Sequence, residues 1–343
     1  MLKILLIKRG AIGDLLLATP LIRQLKKAYP DCQLDLLVGK SASIAITKNP
    51  YLDNVFIRDD SDFALSGCFR FARFLFSLRK QYDNVFILDK HWYFNLMAKI
   101  IKARFTIGFS RGWFSACLLD ESVPYNDVTR YHSLYYLDLL NASALAFTSY
   151  DDIQLDIFIA DADKQKVKQL LVTNKIDNYV IVVNSGGNNS YETSGIRMLP
   201  ASKISALLQK LLTKHKVILL GGKIDANNYN SYLAHLNNPP NLFNWAGQLS
   251  FAQSAYLIAN SAKFYTTDCG AMHLGVAMLT PRQLCAFFGP TNPSHILPAS
   301  YLNISAKWSD EDIYDPAYQL KGLLPVKKKE FFRHLDLDKL NCI

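Results

Sequence analysis

Apolar runs of strand length alternate with longer stretches of helical period along the whole chain. The spacing predicts strands over 3–7, 34–38, 85–88 and 106–108, helices over 15–29 and 69–81, and a helix ending over 99–104. After a junction within 141–159 the theme repeats. Helices are predicted over 163–174, 200–214, 251–260 and 271–278, and strands over 179–184, 217–220, 263–267 and 283–288. Strands this apolar, separated by helices, imply βαβ units and parallel sheets covered on both faces. Two doubly wound α/β domains with a cleft between them are expected, over 1–155 and 156–325, followed by a basic helix over 326–343. In such sheets ligands bind beyond the carboxyl ends of the strands.

The length of 343 residues agrees with two domains rather than one core. With 50% hydrophobic and 20% charged residues the composition is that of a globular protein. The net charge is +9 and residues 1–150 are the more basic half, which points to an anionic partner there: a phosphorylated sugar, an anionic lipid surface or nucleic acid. The six cysteines are scattered without a C-x-x-C pair, so a structural metal is not expected and reduced thiols in the cytosol are. No apolar run approaches the ~20 residues of a membrane span, and the first apolar stretch is too short for a signal-peptide core. A cytoplasmic protein is expected.

Chemistry concentrates where strands run into helices. In Thr266-Thr267-Asp268-Cys269-Gly270-Ala271-Met272-His273-Leu274 an acid, a glycine and a histidine fall within six residues at such a junction. The backbone N–H groups of Gly270, Ala271 and Met272 are expected to face an anion, with the helix dipole adding to them. Asn184, Ser185 and Gly186 end another strand and offer hydroxyl and amide donors to phosphate. Asp225, following Gly221-Gly222, is a candidate acceptor for ribose hydroxyls. Asp14 follows Gly13 just after the first strand. A helix amino end and the nearby Arg9 would favour its ionised form. Gly289-Pro290-Thr291-Asn292-Pro293 is a turn by composition.

Taken in order, Lys8 to Asp14 with Thr19-Pro20, Asn184-Ser185-Gly186, Arg197-Met198-Leu199-Pro200, Gly221-Gly222 with Asp225, Asn244-Trp245-Ala246-Gly247-Gln248, Asp268 to His273 and Phe288-Gly289-Pro290-Thr291-Asn292-Pro293 form a pattern. By that pattern the chain resembles the ADP-heptose:lipopolysaccharide heptosyltransferase family, glycosyltransferase family 9. The resemblance implies a GT-B fold of two Rossmann-like domains, with the acceptor bound by the first and the donor by the second. It implies an inverting glycosyltransferase moving heptose from ADP-heptose to an inner-core acceptor of lipopolysaccharide, Kdo or heptose, with no metal and no cofactor beyond the ADP-sugar as donor substrate. It makes Asp14 the general base, puts Arg197 on the donor phosphate where the family has Lys, and puts Asp268 and His273 on the donor sugar and diphosphate. Leu199 stands in place of the usual Trp, and Cys269 in place of the usual Thr.

Arg9, Lys90, His91 and Arg111, with Arg104 and Arg130, are basic candidates for a lipid-anchored acceptor carrying carboxylates or phosphates. The predicted helix over 69–81 places Arg70, Arg73, Ser77 and Lys80 on one face among aromatics. Burial of its phenylalanines against the sheet is the first reading, and peripheral contact with an anionic inner membrane the second. The alternatives are a relative using another nucleotide sugar or acceptor, a nucleotide-sugar-binding protein without turnover, and a metal-dependent transferase using Asp60-Ser61-Asp62. A nucleic-acid binder lacks a recognised module. The dinucleotide and P-loop glycine patterns are both absent.

Overall fold

The computed structural model describes residues 1–46, 48–126, 129–186, 195–308, 331–332 and 335–338. The chain divides into two compact units, Met1–Asp156 and Ile157–Ile343. In the first, strands β1 (Lys3–Lys8), β2 (Gln33–Gly39), β3 (Asn54–Arg58), β4 (Asn84–Ile87), β5 (Phe105–Ser110) and β6 (Glu121–Pro124) form a sheet in the order β3-β2-β1-β4-β5-β6. Every pairing is parallel, with Ile4 of β1 opposite Leu34 of β2 and Asn84 of β4. Its helices are α1 (Ile12–Leu17), α2 (Thr19–Ala28), α3 (Cys68–Ser77), α4 (Trp92–Ala98), α5 (Trp113–Ala116) and α6 (His132–Ala142).

The second unit repeats the plan. Strands β7 (Tyr179–Val183), β8 (Lys216–Leu219), β9 (Leu242–Asn244), β10 (Lys263–Thr267), β11 (Leu284–Phe288) and β12 (Ala306–Trp308) lie in the order β12-β11-β10-β7-β8-β9, again all parallel. The helices are α7 (Asp161–Thr173), α8 (Ala201–Leu212), α9 (Lys223–His235), α10 (Phe251–Ala259), α11 (Gly270–Met278), α12 (Pro293–Ile296) and α13 (Ala299–Ser305). Both sheets therefore reverse their winding once, between β1 and β4 and between β7 and β10.

Local sequence explains the elements. β7 is all apolar or aromatic and wholly buried, as a central parallel strand requires. In α8, Ile204, Leu207, Leu208 and Leu211 recur at helical spacing and bury against Val180, Val182, Val217 and Leu219. Each such side chain contributes roughly 1.5–3 kcal/mol on burial. Gly275 lets α11 lie close on the sheet. A Cβ there would stand 2.8 Å from Phe264 and 2.9 Å from Leu284.

Where the structure departs from the sequence reading, the causes are local. The helix expected over 15–29 is two, α1 and α2, hinged at Ala18, because Pro20 in the first turn of α2 has no N–H to continue the ladder. α3 stops at Ser77 rather than 81. Lys80 takes a left-handed φ of 58°, and its N–H turns to the Ile101 carbonyl at 2.7 Å. The short strands β3, β6 and β9 escape the hydrophobic pattern, and β3 and β6 lack a fully buried residue. α9 escapes too, since Tyr229 is its one buried residue. The basic helix expected over 326–343 lies largely outside the described residues. Phe331, Phe332, Leu335 and Leu337 join the second unit's core, and Lys203 donates to the Leu335 carbonyl at 2.6 Å.

The segment closing the first unit is tied down by side chains of α2. Thr19 Oγ1 accepts from Asp156 N–H at 2.9 Å, and Gln24 donates to the Ser149 carbonyl at 2.8 Å. Arg23, 5% exposed, sets Nη2 2.7 Å from Asp152 Oδ1 and pairs through Nη1 with Asp156. Arg23→Ala strips the cation from two carboxylates and is expected to destabilise the first unit by about 3 kcal/mol. Thermal unfolding followed by circular dichroism checks this, and an unchanged midpoint would refute it.

Candidate functional site

The first site grows from the carboxyl end of β1. Four aliphatic positions, Ile4 to Ile7, lead to Lys8, whose side chain is 3% exposed and whose ammonium lies 2.9 Å from Asp14 Oδ2 and 3.2 Å from Asp89 Oδ1. Asp14 stands in the first turn of α1 and is 36% exposed, while Asp89 follows β4. Burial by itself would lower the Lys8 pKa, but Asp14 and then Asp89 outweigh it and hold the group well above its usual value. The Asp89 carboxylate also accepts the Arg9 main-chain N–H at 2.7 Å. Sequence reasoning put Arg9 beside Asp14; the paired cation is Lys8.

Lys90 lies 4.4 Å over the ring of Tyr125. Burial pushes its pKa down to about 8, against the pull of Asp14 and with the push of Lys8; Asp89 and Arg111 act more weakly. Burial raises the phenols of Tyr125 and Tyr136, which remain neutral beside these charges. His91 caps α4, its Nδ1 accepting from Tyr93 N–H at 3.2 Å, and stacks on Trp92. Arg111 follows β5 and donates its main-chain N–H to Ser115 Oγ at 2.9 Å. Arg9, Lys90, His91 and Arg111 thus share the carboxyl edge of the sheet with Asp14. Arg104 does not. It precedes β5 at the opposite edge, 3.4 Å from Asp83. Arg130 is paired with Asp138 at 3.0 Å.

The second site occupies the corresponding place between β7 and β10. Ser185 N–H donates to Thr267 Oγ1 at 3.0 Å, and Thr267 returns a bond to the Ser185 carbonyl at 2.7 Å, joining the two strand ends. Asn184 is fully buried. Its Oδ1 accepts from Leu199 N–H at 2.8 Å and its Nδ2 donates to the Leu199 carbonyl at 3.1 Å. Its amide is therefore directed into the fold, where it braces the segment carrying Arg197. Arg197 Nη1 lies 3.1 Å from Asp268 Oδ2, and both side chains are largely buried. Gly186 is buried, and residues 187–194 fall outside the described set.

α11 starts at Gly270 with no acid in its first turn, and the carboxylate just before its cap, Asp268, is paired with Arg197. Met272 N–H reaches the Cys269 carbonyl at 3.0 Å, so the three amides of the turn are not equivalent. Burial raises the Cys269 thiol to about 11; Thr266, 3.7 Å away, and the Ala271 and Met272 amides oppose that rise. The group is a packed thiol rather than a nucleophile at neutral pH. His273 is buried one turn into the helix. Asp225 accepts the Gly222 N–H at 2.8 Å, closing the first turn of α9. Burial raises its pKa against the lowering effects of Gly222 and Ser185. Asn292 caps α12 through Ser294 N–H at 3.0 Å.

The structure also settles where Asp60-Ser61-Asp62 sits. Asp62 is buried and holds Arg58 and Arg70, each at 2.7 Å, while Asp60 takes the Ser41 N–H at 3.1 Å. These carboxylates are structural. Sequence reasoning did not single out Lys8, Asp89, Tyr125, Tyr136 or Thr267. A signal existed for the first two: each is a charge placed at the end of an otherwise apolar strand run.

Comparison with known proteins bears on both sites. The family model for glycosyltransferase family 9 (heptosyltransferase) matches residues 71–312. Lipooligosaccharide heptosyltransferase 2 of Haemophilus ducreyi is 27% identical over an alignment covering 96% of this chain and 92% of that protein. The solved structure of a glycosyl transferase family 9 protein from Veillonella parvula superposes with a TM-score of 0.71 at 19% identity, covering 89% of this chain and 84% of that one. That of Escherichia coli ADP-heptose LPS heptosyltransferase II does so with a TM-score of 0.68 at 21% identity, covering 89% of each. With two parallel Rossmann-like sheets of GT-B type and a family match over most of its length, the chain belongs to glycosyltransferase family 9 (heptosyltransferase) and is a glycosyltransferase.

Proposed function

We propose that this protein transfers heptose from ADP-heptose to a Kdo or heptose acceptor of the lipopolysaccharide inner core, with inversion at the anomeric carbon and without a metal. The observation that carries the reading is the carboxylate of Asp14. It is held at the winding reversal of the first sheet, ion-paired yet one-third exposed. The H. ducreyi protein, a lipooligosaccharide heptosyltransferase by name, and the E. coli protein, an ADP-heptose LPS heptosyltransferase by title, supply the donor and acceptor class.

In this mechanism Asp14 takes the proton of the acceptor hydroxyl as that oxygen bonds to the anomeric carbon. The bond from the anomeric carbon to the β-phosphate oxygen breaks, and its electron pair leaves with ADP. Arg197 neutralises charge gathering on the diphosphate, and its planar guanidinium suits two phosphate oxygens at once. Asp268 orients Arg197, and with His273 it meets the donor sugar. The Ser185 hydroxyl, Gly186 and the start of α11 at Gly270 and Ala271 contribute donors to the diphosphate, whereas the Met272 N–H is spent on the Cys269 carbonyl. Asn184 braces this corner, and Asp225 accepts from the ribose. Arg9, Lys90, His91 and Arg111 face the acidic groups of the acceptor.

A lipid-anchored acceptor calls for approach to the inner membrane. In support, α3 buries Phe71 and Leu75 in the core but leaves Phe69 87% and Phe76 58% exposed. Arg73 falls between them on the same stripe of the helix. Among the described residues no helix is long and apolar enough to cross a membrane.

Replacing Asp14 by Asn is expected to lower turnover by about 10²-fold or more, with ADP affinity unchanged. Product mass from purified core acceptor and titration calorimetry measure the two, and near-normal turnover would end the base assignment. Arg197→Ala is expected to weaken ADP-heptose binding or slow the chemical step at least ~10-fold; wild-type values for both would remove it. A screen of ADP-heptose, GDP-mannose and UDP-sugars tests the donor. Flotation with anionic liposomes tests the membrane face, with Phe69→Ser/Phe76→Ser expected to stay in the soluble fraction.

A further inference from the structure

We infer that Lys8 and Asp89 are positioning residues for the base: Lys8 holds the Asp14 carboxylate in one orientation, and Asp89 holds Lys8. The inference rests on the reading of Asp14 as general base. Three observations lead to it.

First, Lys8 has no reason of packing to be a lysine. It ends a strand whose preceding residues Ile4 to Ile7 are buried and aliphatic, and its own side chain is 3% exposed. An ammonium removed from water loses several kcal/mol of hydration, which an apolar side chain would not. A charge kept in such a place calls for another explanation than the fold.

Second, its contacts form a directed chain. Arg9 N–H donates to Asp89 Oδ2 at 2.7 Å, Lys8 donates to Asp89 Oδ1 at 3.2 Å, and the same ammonium reaches Asp14 Oδ2 at 2.9 Å. β1, the loop after β4 and α1 are thereby joined at the one crevice the sheet order opens. Asp14 lies on a helix of six residues, and this contact ties its carboxylate to the end of β1 in one staggered rotamer.

Third, the balance of charge suits a group that must gain and lose a proton. Around Asp14 stand Lys8 from β1, Asp89 and Lys90 from the loop after β4, Tyr125 following β6 and Tyr136 from α6, with Arg111 following β5 acting on Lys90. Two anions flank Lys8. When Asp14 takes a proton, the ammonium keeps Asp89 as its partner rather than being stranded, so protonation does not leave a buried charge alone. Removing Lys8 would instead leave Asp14 and Asp89 as neighbouring like charges, and one would hold its proton to higher pH.

The test is the pH dependence of kcat/KM for the full-length protein carrying Lys8→Met, Lys8→Arg or Asp89→Asn, beside Asp14→Asn. Lys8→Met is expected to move the acid limb up by about one pH unit or more and to lower kcat at least ~10-fold, with ADP affinity unchanged. Asp89→Asn removes an anion, so its limb moves the opposite way while kcat falls. Lys8→Arg keeps the cation and restores the wild-type limb. A side chain serving the fold alone would move no limb. If Lys8→Met does not fold, Asp89→Asn and Lys8→Arg decide. Wild-type limbs and kcat in the Lys8 and Asp89 variants, with Asp14→Asn inactive, would overturn the positioning roles and leave the base in place. An active Asp14→Asn would instead overturn the reading beneath them.

Discussion

Each sheet reverses its winding once, and that single topological fact decides where chemistry can occur. The chain leaves β1 toward one side of the sheet and β4 toward the other, and it does the same at β7 and β10. At those two places the backbone diverges and leaves a crevice at the strands' carboxyl ends. Lys8, Asp14 and Asp89 gather at the first. Ser185, Thr267, Asp268 and Arg197 gather at the second, although Ser185 and Thr267 are 82 residues apart in the chain.

The two crevices are built on different electrostatic plans. In the first unit a buried cation is shared by two carboxylates, with Lys90 and Arg111 acting on the same group of charges. In the second a carboxylate, Asp268, holds the Arg197 guanidinium just before α11, whose amino end carries no acid in its first turn. Arg197 is exact in place because its segment is bracketed: Asn184 holds Leu199 by both backbone groups, and Tyr229 accepts from Asn184 N–H at 2.8 Å. The apolar core beneath, with Tyr229 wholly buried and the central strands of both sheets closed to water, supplies the rigidity.

Much of this was legible in the sequence. The central strands β1, β2, β4, β7, β8, β10 and β11 are buried apolar runs of strand length, and the pattern found each of them. Edge strands were lost because a half-exposed run such as Asn54–Arg58 has no apolar signature. α9 was lost because a helix burying little beyond Tyr229 carries almost no periodicity. Asp14, Arg197 and Asp268 were found by motif. Which groups pair was not, since an ion pair between Lys8 and Asp89 or between Arg197 and Asp268 is a product of topology rather than of spacing. Burial was equally invisible for Asn184, whose amide reads as a ligand donor in the sequence and proves to be turned into the fold.

The separation of duties between the two crevices is tested most directly by a crystal structure of the protein with ADP bound. The diphosphate is expected against Arg197 and the first turn of α11, with Asp14 not touching the nucleotide. ADP held by Lys8, Lys90 and Arg111 in the first unit, and absent from the turn at Gly270, would contradict it.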